Sequence, residues 1–307
     1  MEHEPHRTPP RTITPLSVPA MSSTGTMRFP YPQAELRSLV KSALDEDGAF
    51  NDLTTIATVV SDRHARGRLV ARATGVLCGV ALGVEAFCLL DPKVTIRIDK
   101  EDGSRLQAGD SILYLSGHAR ALLAAERVAL NFMQRLSGVA SMTARYVDAV
   151  RGTTAKILDT RKTTPGWRLL EKYAVRSGGG TNHRLNLSTA VLIKDNHLAS
   201  VDGDVGVAVR RARDLAPPGT KIEVECDRAE QVQAAVEAKA DIIMLDNMTL
   251  DDMRACVGLI AGRAIVEASG GVNLDRVRSI AETGVDWISV GALTHSAPAL
   301  DLALDFE

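Results

Sequence analysis

Cysteine is scarce. The four residues, Cys78, Cys88, Cys226 and Cys256, include no Cys-x-x-Cys pair and sit inside apolar or helical patterns. That spacing argues against a zinc ribbon or a disulfide framework and for reduced, structural thiols in a cytoplasmic protein. Aromatic residues make up 4% of 307, too few stacking platforms for a reader of single-stranded nucleic acid. An excess of one charge is missing too. Lys and Arg number 36 against 38 Asp and Glu, a net charge of -2, so no global positive field attracts nucleic acid or an anionic membrane. No apolar run reaches the ~20 residues needed to cross a bilayer.

What is present is an ordinary globular composition, 45% hydrophobic, long enough for two domains or one barrel with an appendage. Residues 1–27, rich in Pro, Ser and Thr, lack the apolar core of a secretory signal. They are expected to be a disordered tail, or an extension upstream of a later start at Met21 or Met27. Glu2 and Glu4 count against a transit peptide.

From Pro32 to Asp45, Leu36, Leu39, Val40 and Leu44 share a helical face, and Asn51-Asp52-Leu53-Thr54-Thr55 interrupts the pattern. Runs at 67–72, 94–98 and 110–117 read as strands around a packed helix at 78–90, a mixed α+β layer. The stretch 119–150 reads as two helices joined near Ser137-Gly138. Within it Arg127 follows Glu126, and either pairs with acidic neighbours on an exposed turn or serves function. Beyond Arg151 the period changes. Apolar runs at 156–159, 190–194, 221–225, 241–245, 264–268 and 287–290 alternate with amphipathic helices at 205–215, 228–238, 250–261 and 274–282. Such alternation implies parallel strands joined by crossovers. An incomplete (β/α) barrel fits better than an open doubly wound sheet, because no Gly-x-Gly-x-x-Gly opens the first unit and polar residues follow nearly every strand.

The chain is organised around residues 155–197. This segment concentrates Arg161, Lys162, Arg168, Lys172, Arg176, His183, Arg184 and Lys194 in a nearly neutral protein. The cations fall at strand ends and glycine-rich turns rather than along a helical face, the places where α/β sites are built. Arg offers planar, bidentate recognition of carboxylate or phosphate, while Lys and His offer point charge and a titratable donor. The ligand expected is a small polyanion: a dicarboxylate, a phosphoester, or both together.

Later strand ends carry acids and glycines. Glu223 and Glu225 alternate onto one strand face, and with Asp246 they offer hard oxygens suited to Mg²⁺ held through a phosphate; Glu267 follows on the next strand. Ser269-Gly270-Gly271 and Val290-Gly291-Ala292 come after the last two strands, where backbone N–H groups can approach a phosphate.

The run LDTRKTTPGWRLLEKYAVRSGGGTNHRLNLSTAVLIKDNH, with AERVALNFMQRLSGVA upstream and IEVECD, IMLDN, EASGG and SVGALTHS downstream, closely resembles quinolinate phosphoribosyltransferase. The likeness spans about Pro32 to Asp305. Asn51 departs from it, standing where glycine is expected in many relatives. The resemblance implies an α/β fold, an amino-terminal α/β sandwich plus an open or incomplete (β/α) barrel. It divides the chain into a tail (1–27), a sandwich with linking helix (28–137), a barrel (138–291) and a segment packing back on the first domain (292–307). The implied activity joins quinolinate and phosphoribosyl diphosphate, with Mg²⁺, into nicotinate mononucleotide, diphosphate and CO₂, in a homodimer or higher oligomer with shared sites. On matching positions, Arg127 from the partner subunit with Arg161, His183, Arg184 and Lys194 would hold quinolinate. Lys162 would face the diphosphate or the reacting centre, Glu225 and Asp246 would contact ribose and Mg²⁺, and Ser269, Gly270, Gly271 and Gly291 would hold the 5-phosphate. The rival readings are a transferase for another pyridine and a non-catalytic paralogue binding a different small anion.

Overall fold

A computed structural model describes the strand Arg11–Ile13 and residues 29–307. The tail expected over residues 1–27 otherwise lies outside the described residues. Contacts divide the chain into two units, residues 1–141 with 298–307, and residues 142–297.

The first unit carries β1 (Arg11–Ile13), α1 (Gln33–Glu46), α2 (Leu53–Thr58), β2 (His64–Ala71), β3 (Gly75–Val76), α3 (Val80–Leu90), β4 (Thr95–Ile98), β5 (Arg105–Leu106) and β6 (Ser111–His118), followed by α4 (Ala119–Ala149). Its main sheet is antiparallel, in the order β1-β4-β6-β2 and then the terminal strand Leu302–Phe306. Alternation buries Leu113 and Leu115 of β6 and leaves Arg66 and Arg68 of β2 outside. A shift in the β2–β6 register between Leu69 and Val70 lets Leu69, Val70 and Ala71 all be buried. On α1 the inward residues are Leu36, Val40 and Leu44. α1 also ties to α3 through Glu85, a buried carboxylate that accepts Gln33 Nε2 at 2.8 Å and Arg37 Nη1 at 3.1 Å. Burial raises the Glu85 pKa against the pull of those donors. The helical pattern breaks earlier than residues 51–55: α1 ends at Glu46, a 3₁₀ turn spans Ala49–Asn51, and Asp52 caps α2, which takes in Leu53–Thr55, by accepting the Thr55 N–H at 3.1 Å.

The expected hinge at Ser137-Gly138 is absent, and α4 is one helix of 31 residues. Both residues serve packing inside the first unit. Ser137 Oγ accepts the Cys78 N–H at 2.9 Å, and a Cβ on Gly138 would stand 2.0 Å from the Pro298 carbonyl oxygen. Small residues here mark a close backbone approach, not a helix end.

The second unit contains β7 (Lys156–Leu158), α5 (Arg168–Ser177), β8 (Val191–Ile193), α6 (Asp195–Ala199), α7 (Val205–Leu215), β9 (Ile222–Cys226), α8 (Ala229–Glu237), β10 (Ile242–Asp246), α9 (Leu250–Ile260), β11 (Ile265–Ser269), α10 (Leu274–Ala281), β12 (Trp287–Ser289) and α11 (Ala292–His295). All six strands are parallel, in the order β7-β12-β11-β10-β9-β8. The first strand pairs with the last, as closure requires, yet β7 and β8 do not pair. Thr181 bridges to Leu158 in the gap. The unit is therefore an open barrel. Its helices start where polar caps permit: Asp204, Thr249 and Asn273 accept the N–H groups of Val207, Asp252 and Arg276. α5 was not among the helices expected from the sequence, although Leu170, Tyr173 and Ala174 are buried at helical spacing; Glu171 and Lys172 are buried beside them.

Alanine is worth about 1 kcal/mol more than glycine inside an unconstrained helix. Gly138→Ala is expected to reverse that sign and destabilise the protein by about 2 kcal/mol through overpacking, read as a lower urea midpoint; a raised midpoint would refute the close approach.

Candidate functional site

The carboxyl ends of the barrel strands surround a cavity of about 630 Å³. Thr160, Arg161 and Lys162 reach it from the loop after β7, His183 and Arg184 from the segment crossing the gap, and Lys194 from the start of α6. Facing these, Glu225 lies near the end of β9, Asp246 ends β10 with Asn247 after it, Glu267 and Ser269 belong to β11 with Gly270 and Gly271 after it, and Ser289 ends β12. Gly291 is outside this lining but abuts it, since a Cβ there would stand 3.1 Å from Lys162 Cδ. Thus the barrel gathers the expected cations, acids and glycines of residues 161–271 around one space. Arg127 is exposed on α4 in the first unit.

Three of the clustered cations do other work. Arg168 donates to Thr163 Oγ1 at 3.0 Å and toward the carbonyls of Leu185 and Arg161, and Arg176 stacks over the Tyr173 ring. Lys172 is buried beneath the cavity, 2.5 Å from Asp159 Oδ1. Sequence proximity to the other cations concealed that α5 turns these three away from the cavity lining.

Two carboxylates, Glu267 in the cavity lining and Glu223 outside it, are almost fully buried. His183 Nε2 lies 3.1 Å from Glu223 Oε2 and 3.4 Å from Glu267 Oε2, within ionic reach but without hydrogen-bond alignment. Its Nδ1 accepts the Arg184 N–H at 2.7 Å. Burial disfavours a charged ring, while the two carboxylates favour it and pull the His183 pKa up. Burial also pushes the Glu223 pKa up. The Nδ1 lone pair that accepts the Arg184 N–H belongs to a ring whose single proton sits on Nε2. These three residues are close enough to hold a metal ion, but Nε2 carries the proton and has no lone pair to offer. Glu223 is thereby separated from the hard-oxygen set proposed from the sequence; its carboxylate meets a histidine beneath the cavity.

Glu225 and Asp246 remain as metal-competent oxygens. Glu225 pairs with Lys194 across adjacent strand ends, and Asp246 accepts Asn247 Nδ2 at 2.7 Å. Arg184 loses solvation and feels the charge of Arg161, which lowers its pKa, but a guanidinium stays charged. Among the described residues, the buried side-chain polar atoms without a hydrogen-bond partner belong to Arg161, His183, Glu223, Glu267 and Ser289. All five belong to the cavity or its floor. Unsatisfied groups concentrated in this way mark a site built for a polar ligand.

Two family models match the chain, the quinolinate phosphoribosyl transferase N-terminal domain over residues 52–137 and the C-terminal domain over residues 139–305. The chain belongs to the quinolinate phosphoribosyltransferase family. It is 43% identical over 271 residues to a probable nicotinate-nucleotide pyrophosphorylase (carboxylating) of Bacillus subtilis, covering 88% of this chain and 93% of that one. With the Mycobacterium leprae nicotinate-nucleotide pyrophosphorylase (carboxylating) the identity is 45% over 277 residues, 88% of this chain and 96% of that one. The crystal structure of NadC from Streptococcus pyogenes superposes with a TM-score of 0.86 at 43% identity, covering 90% of this chain and 99% of that one. The sandwich and open barrel expected from the sequence are the fold the chain shares with this family.

The glycines after β11 differ in what they tolerate. Gly270 has φ +88° and a Cβ there would lie 2.2 Å from Asn247 Oδ1, whereas Gly271, at φ +58°, has nothing nearer than 3.7 Å. Gly271→Ala should cost about 1 kcal/mol of left-handed strain, and Gly270→Ala about 1 kcal/mol or more beyond that, compared by thermal denaturation. Equal costs would show that the approach of Asn247 is not constraining.

Proposed function

We propose that this protein transfers the phosphoribosyl group of phosphoribosyl diphosphate to quinolinate, releasing diphosphate and CO₂ and giving nicotinate mononucleotide for NAD biosynthesis. The observation that carries this reading is the division of one cavity into a cationic wall and a wall of carboxylates and glycines. The first suits a compact dicarboxylate, the second a phosphorylated sugar. Membership of the family and the names of the relatives support it.

Arg161, Arg184 and Lys194 bind the two carboxylates, and His183 belongs with them through its ring nitrogen, which fixes the Arg184 backbone. Arg127 is supplied by the partner subunit of a homodimer. Lys162 sits where it can neutralise the diphosphate. Ser269, Gly270, Gly271 and Gly291 hold the 5-phosphate, and Glu225 and Asp246 orient the ribose hydroxyls. The same two acids fit Mg²⁺: they present hard oxygens at the cavity, and an ion that keeps waters and substrate phosphates needs only one or two carboxylates. When bound, Mg²⁺ supplies charge neutralisation for the departing diphosphate.

Held between the walls, the pyridine nitrogen attacks the anomeric carbon as the carbon–oxygen bond to diphosphate breaks. Positioning and electrostatic complementarity do the catalytic work. When the adjacent carbon–carboxylate bond breaks and CO₂ departs, the electron pair stays on the ring carbon, stabilised by the neighbouring pyridinium nitrogen, and is captured there by a proton. The four cysteines are buried, in keeping with reduced structural thiols, and we propose a cytoplasmic location; among the described residues no helix is long and apolar enough to cross a membrane.

Arg161→Ala and Lys162→Ala should each lower CO₂ release from quinolinate and phosphoribosyl diphosphate by roughly 10²-fold to 10³-fold, with circular dichroism unchanged. Near-normal turnover in either would overturn the reading. Arg127→Ala subunits mixed with Lys162→Ala subunits should regain part of the lost activity, and mixtures as inactive as their parents would contradict a shared site.

A further inference from the structure

Neither Glu171 nor Lys172 lines the cavity, yet both are charged, adjacent on α5, and buried, at 0% and 4% exposure. Two such groups in a helix interior require a structural reason, because desolvating a charge is expensive unless it is paired and hydrogen-bonded. Their partners lie in the loop after β7, where Asp159 and Thr164 flank Arg161 and Lys162, and, for Lys172, also in the crossing segment that carries His183. The Glu171 carboxylate accepts the Thr164 N–H at 3.0 Å and the Thr164 hydroxyl at 2.9 Å, pinning the loop that carries Arg161 and Lys162. Lys172 donates to Asp159 Oδ1 at 2.5 Å and to the His183 carbonyl at 3.0 Å. Asp159 in turn accepts the His183 N–H at 2.8 Å and Asn182 Nδ2 at 2.7 Å, and Asn182 Nδ2 also reaches the Lys172 carbonyl at 2.8 Å. Burial pushes the Asp159 carboxyl up and the Lys172 amine down, each opposed by the other's charge.

From this geometry we propose that Glu171 and Lys172 are positioning residues, a two-armed brace on α5 that sets the spacing between the two cationic loops. The Glu171 arm holds the Arg161-Lys162 loop. The Lys172 arm, through Asp159 and Asn182, holds the segment presenting His183 and Arg184 across the gap between β7 and β8. The inference rests on the functional reading above for its ligands, but the brace itself is a property of the two loops. Because Arg161 and Arg184 approach a dicarboxylate from different loops, a change in their spacing should weaken that ligand through geometry alone. A misplacement of about 1 Å can cost as much as 10²-fold.

The test uses the full-length protein, Glu171→Met, and the double variant Asp159→Asn/Lys172→Met, which leaves no lone buried charge. In the Lys172-arm variant the amides of Thr181 and His183 should exchange with deuterium at least about tenfold faster. In Glu171→Met the same should hold for Thr164, while β10 and β11 exchange as in the parent. Calorimetry should show the Lys172-arm variant binding quinolinate about tenfold more weakly, with phosphoribosyl diphosphate and Mg²⁺ within about threefold of the parent; Glu171→Met should weaken both ligands. Unchanged exchange at those amides, acceleration spread evenly over the second unit, or equal losses for both ligands in the Lys172-arm variant would each overturn the brace. If the parent protein binds no quinolinate, the functional reading fails and the exchange pattern alone decides the brace.

Discussion

Like charges repel, and the site depends on a way to hold five cationic or cation-capable side chains around one cavity. Two unit charges 4 Å apart repel by about 4 kcal/mol at an effective dielectric near 20, so Arg161, Lys162, Arg184 and Lys194 could not converge without compensation. The compensation is layered. Glu225 meets Lys194 within the cavity, Glu223 and Glu267 lie against His183 at its floor, and Asp159 with Glu171 anchors the loops from below. A polyanionic ligand entering such a cup relieves repulsion that the fold has had to contain, which favours charge density over size in the ligand.

The open barrel makes that layering possible. A closed ring would pair β7 with β8 along their length. Here one backbone bridge, at Thr181, joins the crossing segment to β7, and bonds to Asp159 and Lys172 hold it where His183 and Arg184 meet the cavity. Arg184 Nη1 then reaches the Ala190 carbonyl at 3.1 Å, so the segment is fastened at both margins of the gap. Cations consequently enter from the open side and from the loop after β7, while acids and glycines come from the paired strands. The asymmetry of the cavity follows from the asymmetry of the sheet.

Sequence pattern recovered the six barrel strands and the helices following β8 to β11 because parallel strands buried on both faces read as apolar runs and the covering helices are amphipathic. It misread places where packing or polarity replaced the usual signal. Ser137-Gly138 looked like a helix break, but the glycine exists for the Pro298 carbonyl. α5 went unassigned although Leu170, Tyr173 and Ala174 keep helical spacing, and the terminal strand Leu302–Phe306 was read only as a segment returning to the first domain, since a five-residue edge strand announces itself through its partner β2.

By itself, the amino-acid sequence determined the kinds of chemistry available: which residues could carry positive charge, which could offer hard oxygens, where glycine admits a phosphate, and which family the chain resembles. Tertiary structure decided which of those groups share a space. Lys172 and Lys194 are equivalent as letters in a cationic run, yet one is sealed against Asp159 and the other opens on the cavity. Glu223 and Glu225 share a strand face, yet one lies against a histidine and the other stands at the rim. Charge and residue type are local properties of the chain, whereas burial and partnership arise only when distant strands and loops are brought together.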